Sequence, residues 1–427
     1  MELDGTGLTC AQVHEVAHGG ARVTIGSPDR ARTAWLAAQQ LTGPVYGQTT
    51  GVGANKDVDV DEGGLDLLRS HAGGAGPLVS EERARAMLVV RLNQLLAGGS
   101  GIDPRILPVL AEAINSGHTP PIRTYGAIGT GDLTALATTA LCLLGEKEWQ
   151  GPHYPLASGD ALPFISSGAA TLADAALAVH AITALFEAAI EVAVRSFLAV
   201  EASPEPFAQA VQLGEGQAHV ASRLRAVLQA SGARVQDPYG YRAFARVHGA
   251  AIEVARRAGQ VVETDMNAAA ENPLIADGLA WHNGNFHAAG VALALDSLRA
   301  AVAQTAQLSA ARLATLMEPA YTGRLPFLAG KPGGSGAMIL EYVAQDALAE
   351  LRHLATPVTT GTAVISRGTE DHASFATQAA RYALRCVEPL EIVLACELVA
   401  ATEDLGADRP LDGDLDMARR LLRAESP

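Results

Sequence analysis

Aromatic residues and cysteines are scarce in this 427-residue chain. Phe, Trp and Tyr together make up 4% of it, and there are four cysteines, Cys10, Cys142, Cys386 and Cys396. Their spacing matches no set of metal ligands, so the sequence predicts no metal site and four buried, free thiols in a reducing compartment. The segment Met1–Asp4 has neither a basic stretch nor an apolar run, so we expect no signal peptide and a cytoplasmic protein.

Positive charge is also in deficit. The 31 Lys and Arg residues face 46 Asp and Glu residues, which gives a formal net charge of −15. A surface of that sign repels phosphate backbones and anionic lipids, so we expect neither nucleic acid nor a membrane as a partner. The most apolar predicted helix, about 173–200, carries several charged residues, and on that ground the sequence predicts that it does not cross a membrane.

Long helices are what the composition favours. Hydrophobic residues make up 48% of the chain, and several helical patterns exceed about 25 residues. The expected fold class is therefore mainly α, a bundle of long helices with a small mixed N-terminal region. We expect two domains, an N-terminal region at 1–160 and the central and C-terminal bundle at 161–427. Alanine on more than one helix face also predicts packing between subunits.

Capping residues, glycines and prolines set the approximate bounds of the predicted helices. These bounds are 29–41, 64–71, 80–96, 103–115, 133–144, 171–201, 206–231, 247–264, 288–316, 337–354 and 377–405, with a short strand at 23–25 and a hairpin at 274–280. Asp103 is the predicted cap of its helix, and Pro104 the first helical residue. The tail after Gly406 is short and charged, and no helix is predicted there.

The stretch Gly126–Leu133 is central to the functional argument. It is Gly-Ala-Ile-Gly-Thr-Gly-Asp-Leu, and it continues into an apolar helix. A permissive turn that opens on a helix N-terminus presents free amide N–H groups and the positive end of the helix dipole. Such a turn is either a simple connection or a reactive centre, and the residues alone leave both interpretations open.

Other groups with functional chemistry fall at breaks between helices. They are Tyr46, His71, Tyr239 with Arg242, Asn285, and Glu370 with His372. Helix ends that line a common cleft can hold titratable groups against helix dipoles. No pair has a diagnostic spacing, and each residue has a structural explanation as a cap or loop residue, so the pattern indicates a cleft but names no reaction.

The order of the motifs resembles the histidine/phenylalanine ammonia-lyase family, over roughly residues 10–400. The motifs are Tyr46–Gly53, Leu68–Ala72, Asn115–Gly117, Gly131–Leu133, Gln236–Arg242, Glu271–Leu274, Gly284–His287 and Glu370–His372. The Ser70-His71 pair and the Glu370-Asp371-His372 run are closer to the histidine-type bacterial enzymes than to the plant phenylalanine type. The resemblance implies the family's long-helix bundle, a carbon–nitrogen lyase activity, and a homotetramer whose sites combine residues of different subunits.

The resemblance also implies roles by position. Tyr46 would be the general base on a mobile loop that removes the β-proton of the substrate, and Tyr239 would shape the site beside the electrophile. His71 would contact the substrate side chain, and Arg242 would pair with both oxygens of a substrate carboxylate. Glu370 would lie near the substrate amine or the electrophile.

The departures from the family fall on the electrophile, a methylideneimidazolone (MIO) made from an internal Ala-Ser-Gly. The matching text here is one residue shorter and reads Gly129-Thr130-Gly131. MIO formation needs backbone cyclisation and loss of water from the side-chain hydroxyl, and threonine would leave a more crowded alkene. We therefore expect neither an MIO nor any other cofactor, with Thr130 retained as a catalytic candidate.

A second departure lies near the first long helix. The family has Ile-Asn-Gly-Thr there, whereas this chain has Ile165-Ser166-Ser167-Gly168, and Thr369 replaces the Gln that commonly precedes the Glu. Ser167, Asn285 and Gly131 complete the expected set of substrate-binding residues.

Three functions stay open from sequence. The first is an MIO-independent elimination, addition or cyclisation on a small carboxylate-bearing metabolite derived from an amino acid, by the surviving acid and base groups. The second is a conventional ammonia-lyase or aminomutase with an electrophile made from Gly129-Thr130-Gly131. The third is a non-catalytic binding homologue in which the motifs only end helices. An intact chain lighter than its translated sequence by two waters would favour the second.

Overall fold

Helices form most of the structure, as the composition predicts. The computed structural model describes residues 1–60, 64–228, 234–402 and 409–424. The helices are α1 (Cys10–Ala17), α2 (Asp29–Ala38), α3 (Gly64–His71), α4 (Glu81–Ala97), α5 (Ile106–Ser116), α6 (Leu133–Leu143), α7 (Ala161–Ile165), α8 (Ala169–Ala199), α9 (Glu215–Val227), α10 (Tyr239–Arg242), α11 (Phe244–Met266), α12 (Ala289–Leu316), α13 (Pro319–Thr322), α14 (Ile339–Leu354), α15 (Ala376–Thr402) and α16 (Asp412–Ala424). The predicted mainly α fold class is confirmed.

The strands are short and pair two by two. They are β1 (Glu2–Leu3), β2 (Thr24–Ile25), β3 (Ala75–Leu78), β4 (Arg123–Tyr125), β5 (Leu274–Ala276) and β6 (Leu279–Trp281). β1 pairs in parallel with β2, whereas β3 with β4 and β5 with β6 are antiparallel. The predicted strand at 23–25 and the hairpin at 274–280 are confirmed. The other strands went unpredicted because two to four residues show no alternating pattern.

Local capping chemistry set several helix ends correctly. Ser80 accepts the backbone N–H of Arg83 at the start of α4, as its N-cap position predicts. α3 has the predicted bounds of 64–71. α5 differs, because it begins at Ile106. The Asp103 carboxylate accepts the N–H of Arg105 at 3.0 Å, the bond expected of a cap that precedes Pro104, and also pairs with the Arg105 guanidinium.

The prediction of one long helix over 206–231 is wrong in its first part. Two 3₁₀ turns, Glu205–Phe207 and Gln209–Val211, come first, and α9 begins only after Gly214. The extended backbone of Gly214 separates the turns from the helix. The predicted end at Ser231 lies outside the described residues.

The charged tail contains a helix that was not predicted. On α16, Ala418 and Leu422 are buried, while Arg419 and Arg423 both pair with Glu391 of α15. The density of charge obscured the apolar stripe in the sequence, although the stripe has helical spacing. The predicted end of the preceding helix at 405 lies outside the described residues.

One stretch, Ser158–Ala199, is long and apolar enough to cross a membrane by composition, with a mean hydropathy of 1.8 over its most apolar window. The charged residues of this stretch therefore do not exclude a membrane span, and the reason given for the prediction is wrong. In the structure 72% of that window is buried in the protein, which is the environment of a core helix. Its Asp174 is paired with Arg83 at 2.5 Å.

The described chain forms two compact units, each assembled from three segments. The first unit comprises Met1–Leu177, Gly259–Leu295 and Pro357–Arg381, and the second comprises Ala178–Ala258, Asp296–Thr356 and Tyr382–Pro427. The predicted domain boundary at 160 stays a prediction.

The first unit is built around α4. This helix packs against α1, α2 and α5, and α3 packs against α6 and α7. Nearly every residue of α4 from Ala84 to Leu96 is buried. These contacts fix the ends of α3, α6 and α7, where the predicted site residues lie.

The second unit contains a buried ion pair between Arg312 and Glu397. The Nε and Nη2 atoms of Arg312 lie 2.5 and 2.8 Å from the two carboxylate oxygens, and both side chains have 0% exposure. The hydroxyls of Ser196 and Ser309 also donate to this carboxylate. Each carboxylate oxygen of Glu397 therefore accepts two hydrogen bonds, which offsets the loss of hydration of the buried charge.

Candidate active site

A cavity of about 780 Å³ opens among loop and helix ends of the first unit. Six of the predicted site residues line it, namely Tyr46, His71, Thr130, Gly131, Ser167 and Glu370. Their sequence separation spans more than 300 positions, so the fold rather than local sequence brings them together. Their functional roles stay predictions.

Tyr46 lies at the cavity on a loop that closes on itself. Its phenol oxygen accepts the backbone N–H of Gly53 at 2.7 Å, and its own N–H donates to His282 Nε2 at 3.3 Å. Burial raises the pKa of Tyr46, the Gly53 N–H lowers it, and the Glu370 carboxylate raises it further. The phenol is therefore protonated at neutral pH unless another group takes its proton.

His71 ends α3 at the cavity. Its Nδ1 lies 2.9 Å from the carbonyl oxygen of Leu67 and 3.0 Å from the Ser70 hydroxyl. Because a carbonyl only accepts, these contacts assign the ring proton to Nδ1 in the neutral ring. Nε2 is then the acceptor nitrogen of His71, which suits contact with a donor on a substrate.

The Gly-rich turn lies where α6 begins. Gly129 and Gly131 have positive φ angles of 84° and 104°, which favour glycine at both positions. The Gly129 carbonyl oxygen accepts two hydrogen bonds, from Ser374 Oγ at 2.8 Å and from the Ala288 N–H at 3.1 Å. The turn is therefore held by two segments that are distant in sequence.

Asp132, directly after the turn, joins two helix starts. Its carboxylate accepts the N–H of Thr171 at 2.7 Å and the Thr171 hydroxyl at 2.8 Å, in the first turn of α8. Its own N–H donates to the carbonyl oxygen of Ser167 at 2.7 Å. Burial raises the pKa of Asp132 to about 6, against the opposing effect of the bonds from Thr171.

Ser166 and Ser167, in the segment that lacks the family's Asn, both form hydrogen bonds within the protein. Ser167 Oγ donates to Gln94 Oε1 at 2.6 Å and accepts the Ala169 N–H at 3.0 Å. Ser166 Oγ accepts the Asn272 N–H at 2.9 Å. Ser167 borders the cavity, but its hydroxyl is used within the protein.

A buried ion pair lies behind this wall of the cavity. Arg91 of α4 donates to Glu271 Oε1 at 2.9 Å, and to the carbonyl oxygens of Phe164 and Pro163 at 3.0 and 2.5 Å. Both charged side chains are nearly inaccessible, at 1% and 2%. Burial raises the pKa of Glu271, while Arg91 opposes this. The pair ties α7 to the segment that begins at Glu271.

Three predicted residues do not line this cavity. Asn285 is exposed, and the neighbouring Asn283 and Phe286 line it instead. Tyr239 and Arg242 belong to the second unit. There the Arg242 guanidinium lies 4.4 Å from the centre of the Tyr239 ring, and its Nε is buried without a hydrogen-bond partner among the described residues.

Sequence reasoning missed several residues that the fold brings to the cavity, namely Asn272, His282, Asn283 and Ser366. Asn272 lies within a motif that carries the resemblance, and His282 and Asn283 directly precede another, so their position was visible. Their direction was not, because loop conformation decides which of two nearby polar residues faces inward.

Comparison with known proteins gives one consistent result. The sequence model of the aromatic amino acid lyase family matches residues 8–423. Histidine ammonia-lyase of Geobacillus thermodenitrificans (strain NG80-2) is 36% identical over 95% of this chain and 89% of its own length.

Solved structures agree in fold. Histidine ammonia-lyase of Trypanosoma cruzi superposes with a TM-score of 0.88 at 27% identity, over 99% of this chain and 93% of that one. The ergothioneine-degrading enzyme ergothionase of Treponema denticola, in complex with desmethyl-ergothioneine sulfonic acid, superposes with a TM-score of 0.89 at 22% identity, over 100% and 99%. The long-helix bundle is the one shared by these enzymes.

Proposed function

The chain belongs to the aromatic amino acid lyase family, and from this we propose that it catalyses an acid/base elimination, addition or cyclisation without an MIO electrophile. Membership of this family and the similarity to histidine ammonia-lyases make the chain an ammonia-lyase-like enzyme. The proposed substrate is a small carboxylate-bearing metabolite derived from an amino acid. No metal is proposed.

The contacts of the Gly129 carbonyl carry the proposal. To form an imidazolone, the nitrogen of Gly131 must attack the carbonyl carbon of Gly129, and the Gly129 oxygen must leave as water. That oxygen accepts hydrogen bonds from the Ser374 hydroxyl and from the Ala288 N–H. Its loss would take an acceptor from the buried Ser374 hydroxyl, at a cost of about 1–3 kcal/mol. Together with Thr130 and the shortened turn, these contacts fit an open backbone and fit an MIO poorly.

The acid and base groups that remain suit a substrate with its own acidic proton. In elimination, a base takes a proton from carbon, the C–H electrons form the new double bond, and the leaving group departs with the electrons of its bond to the adjacent carbon. Addition is the reverse. Because its pKa is raised, Tyr46 serves most readily as the proton donor in addition, and as a base only towards an acidic C–H.

The N-terminus of α6 would stabilise the negative charge that develops on the substrate during the reaction. Thr130 and Gly131 line the cavity directly before the helix, which begins at Leu133. The positive end of the helix dipole stabilises an enolate or carboxylate next to it. His71 and Glu370 would orient the polar part of the substrate.

Assembly is part of the proposal. In the family, residues of different subunits form each site, and we propose a homotetramer in which Tyr239 and Arg242 of a neighbouring subunit complete the cavity that contains Tyr46. The Arg242 guanidinium lies over the Tyr239 ring, so the two side chains would reach the cavity together, and a guanidinium can bind both oxygens of a carboxylate.

Intact-protein mass spectrometry tests the absence of the electrophile directly. The purified chain should have the mass of its translated sequence, because no water is lost. A mass lower by two waters would contradict the proposal and support a Thr-derived MIO. The measurement needs no knowledge of the substrate.

A substitution gives a second, independent test once turnover of a substrate is found. Thr130→Val keeps the branched shape and removes the hydroxyl. Without an MIO it should keep kcat within about tenfold of wild type, whereas loss of an electrophile would reduce the rate by many orders of magnitude. The alternative, a conventional ammonia-lyase or aminomutase, is favoured by the 36% identity to a histidine ammonia-lyase, and it would be supported by an inactive Thr130→Val together with a wild-type chain lighter by two waters.

A further inference from the structure

Two loops meet at the mouth of the cavity, the Tyr46 loop (residues 44–60) and the Glu370 loop (residues 361–372). Among the described residues one hydrogen bond joins them, from the Ala54 N–H to Ser366 Oγ at 3.0 Å. The preceding amide, of Gly53, donates to the phenol oxygen of Tyr46. Both amides belong to one 3₁₀ turn, Gly53–Asn55, so an anchor on the second also fixes the direction of the first.

Gly53 makes this meeting of the loops sterically feasible. Its φ is +55°, and a Cβ there would lie 2.5 Å from Ser366 Oγ and 3.2 Å from Glu370 Oε1. The phenol, the hydroxyl and the carboxylate therefore surround the same residue. A side chain at this position would strain the left-handed backbone and displace the Ser366 hydroxyl from its place beside the turn.

Ser366 is presented by a strained turn. Ser366 and Arg367 have φ angles of 51° and 54°, a left-handed conformation that is uncommon for residues other than glycine. The Ile365 N–H closes the turn on the carbonyl oxygen of Glu370 at 2.9 Å. Such a conformation persists where the surroundings over-determine it and is typical of functional sites.

We propose that Ser366 is a positioning residue for Tyr46. The Ser366 hydroxyl accepts the Ala54 N–H and thereby directs the neighbouring Gly53 N–H at the phenol oxygen of Tyr46. The inference rests on the proposed role of Tyr46 in proton transfer. Ser366 itself touches no reacting atom in this proposal.

The expected consequence is electrostatic. A donor held at the phenol oxygen stabilises the phenolate, against burial and the Glu370 carboxylate, which both favour the neutral phenol. Besides Glu370, the titratable or charged groups that line the cavity near Tyr46 or belong to the two loops are His71, His282, Asp59, Arg367, Asp371, His372 and the Lys56–Asp57 ion pair. Because Glu370 lies on the same turn as Ser366, a control variant on that turn is needed to assign a change in the ionisation of Tyr46 to the amide.

Fluorine NMR of the protein labelled with 3-fluorotyrosine measures that ionisation, with Tyr46→Phe to assign the signal. Ser366→Gly removes the hydroxyl and suits the left-handed conformation, so the fold should survive. It should raise the pH at which Tyr46 ionises by about one unit. Ser366→Asn, which tolerates the same conformation and keeps an acceptor oxygen, should stay closer to wild type.

Arg367→Gly is the control, because it relieves the same conformation one residue later and removes no hydroxyl, and the guanidinium that it removes is exposed and therefore screened by solvent. It should leave the ionisation of Tyr46 unchanged. The proposal is overturned if Ser366→Gly causes no shift, or if both glycine variants cause the same shift. The titration needs no turnover, so it is independent of the mass test, and an MIO found by mass would contradict the proposed function while leaving this result interpretable.

Discussion

Asp132 shows how a single residue carries both structure and pH dependence. Its carboxyl group is fully buried between the starts of α6 and α8, and Thr171 supplies two donors to it. Two hydrogen bonds to the charged form do not offset the loss of hydration, so its pKa lies at about 6 rather than at the ordinary 3.8. The folded protein therefore holds this proton more tightly than the unfolded chain does.

The sign of the resulting pH dependence follows. The stability that the protonated Asp132 contributes is fully present below pH 3.8 and is lost as the pH rises to about 6. The loss is on the order of 3 kcal/mol for a shift of this size. Asp132→Asn does not titrate, so the difference in unfolding free energy between wild type and this variant should fall between about pH 4 and pH 6 and then level off.

Urea denaturation at a series of pH values measures this difference. Asp66→Asn is the control, since the Asp66 side chain is 83% exposed and its substitution should show little pH dependence. A wild-type minus Asp132→Asn difference that rises with pH would contradict the assignment.

At the scale of elements, Arg91 and Glu271 hold the wall of the cavity together. The guanidinium of Arg91 reaches from α4 to two carbonyl oxygens of α7 and to the Glu271 carboxylate. The N–H of Asn272, the residue after Glu271, donates to the Ser166 hydroxyl. This buried ion pair therefore holds α4, α7 and the segment that begins at Glu271 in fixed positions relative to one another.

Removal of one partner should be far more disruptive than neutralisation. Glu271→Ala removes both the counter-charge of the buried Arg91 and the oxygen that accepts from its guanidinium, and we expect it to lower the free energy of unfolding by about 3–5 kcal/mol. Glu271→Gln keeps an acceptor oxygen and should cost clearly less. Urea denaturation compares the two variants. Equal losses for Ala and Gln would mean that the lost negative charge, which the two variants share, sets the whole cost, and that the acceptor oxygen kept by Gln contributes nothing.

At the scale of the whole molecule, the proposed sites depend on assembly. Tyr46 and Arg242 belong to different compact units of the chain. We expect light scattering after size exclusion to give four times the chain mass of 44.1 kDa. A monomer would contradict the shared-site proposal.

Complementation tests the sharing itself. Tyr46→Phe and Arg242→Ala should each be inactive alone. If one site takes Tyr46 and Arg242 from different subunits, random mixing of the two variants should restore about a quarter of the wild-type activity. The measurement is turnover after co-expression, with each variant expressed alone as its control. No recovery in mixed tetramers would place both residues in the same subunit.

The sequence by itself determined the helical class, many helix ends and the family. Ser80 and the glycines and prolines between helices act on residues a few positions away, so their effect can be predicted locally, as for α3 and α4. The order of the motifs is likewise a property of the chain. Local signals failed where charge obscured an apolar stripe, in α16, and where a helical composition was broken by turns, before α9.

Only the tertiary structure decided what the site residues can do. The Gly129 carbonyl meets Ser374, and Ala54 meets Ser366, each across more than 240 positions of sequence. The engagement of Ser167 and the inward position of Asn283 rather than Asn285 also depend on such contacts. Hydrogen-bond partners, burial and hence pKa values are set by segments that approach one another only in the folded chain, and no local pattern in the sequence records them.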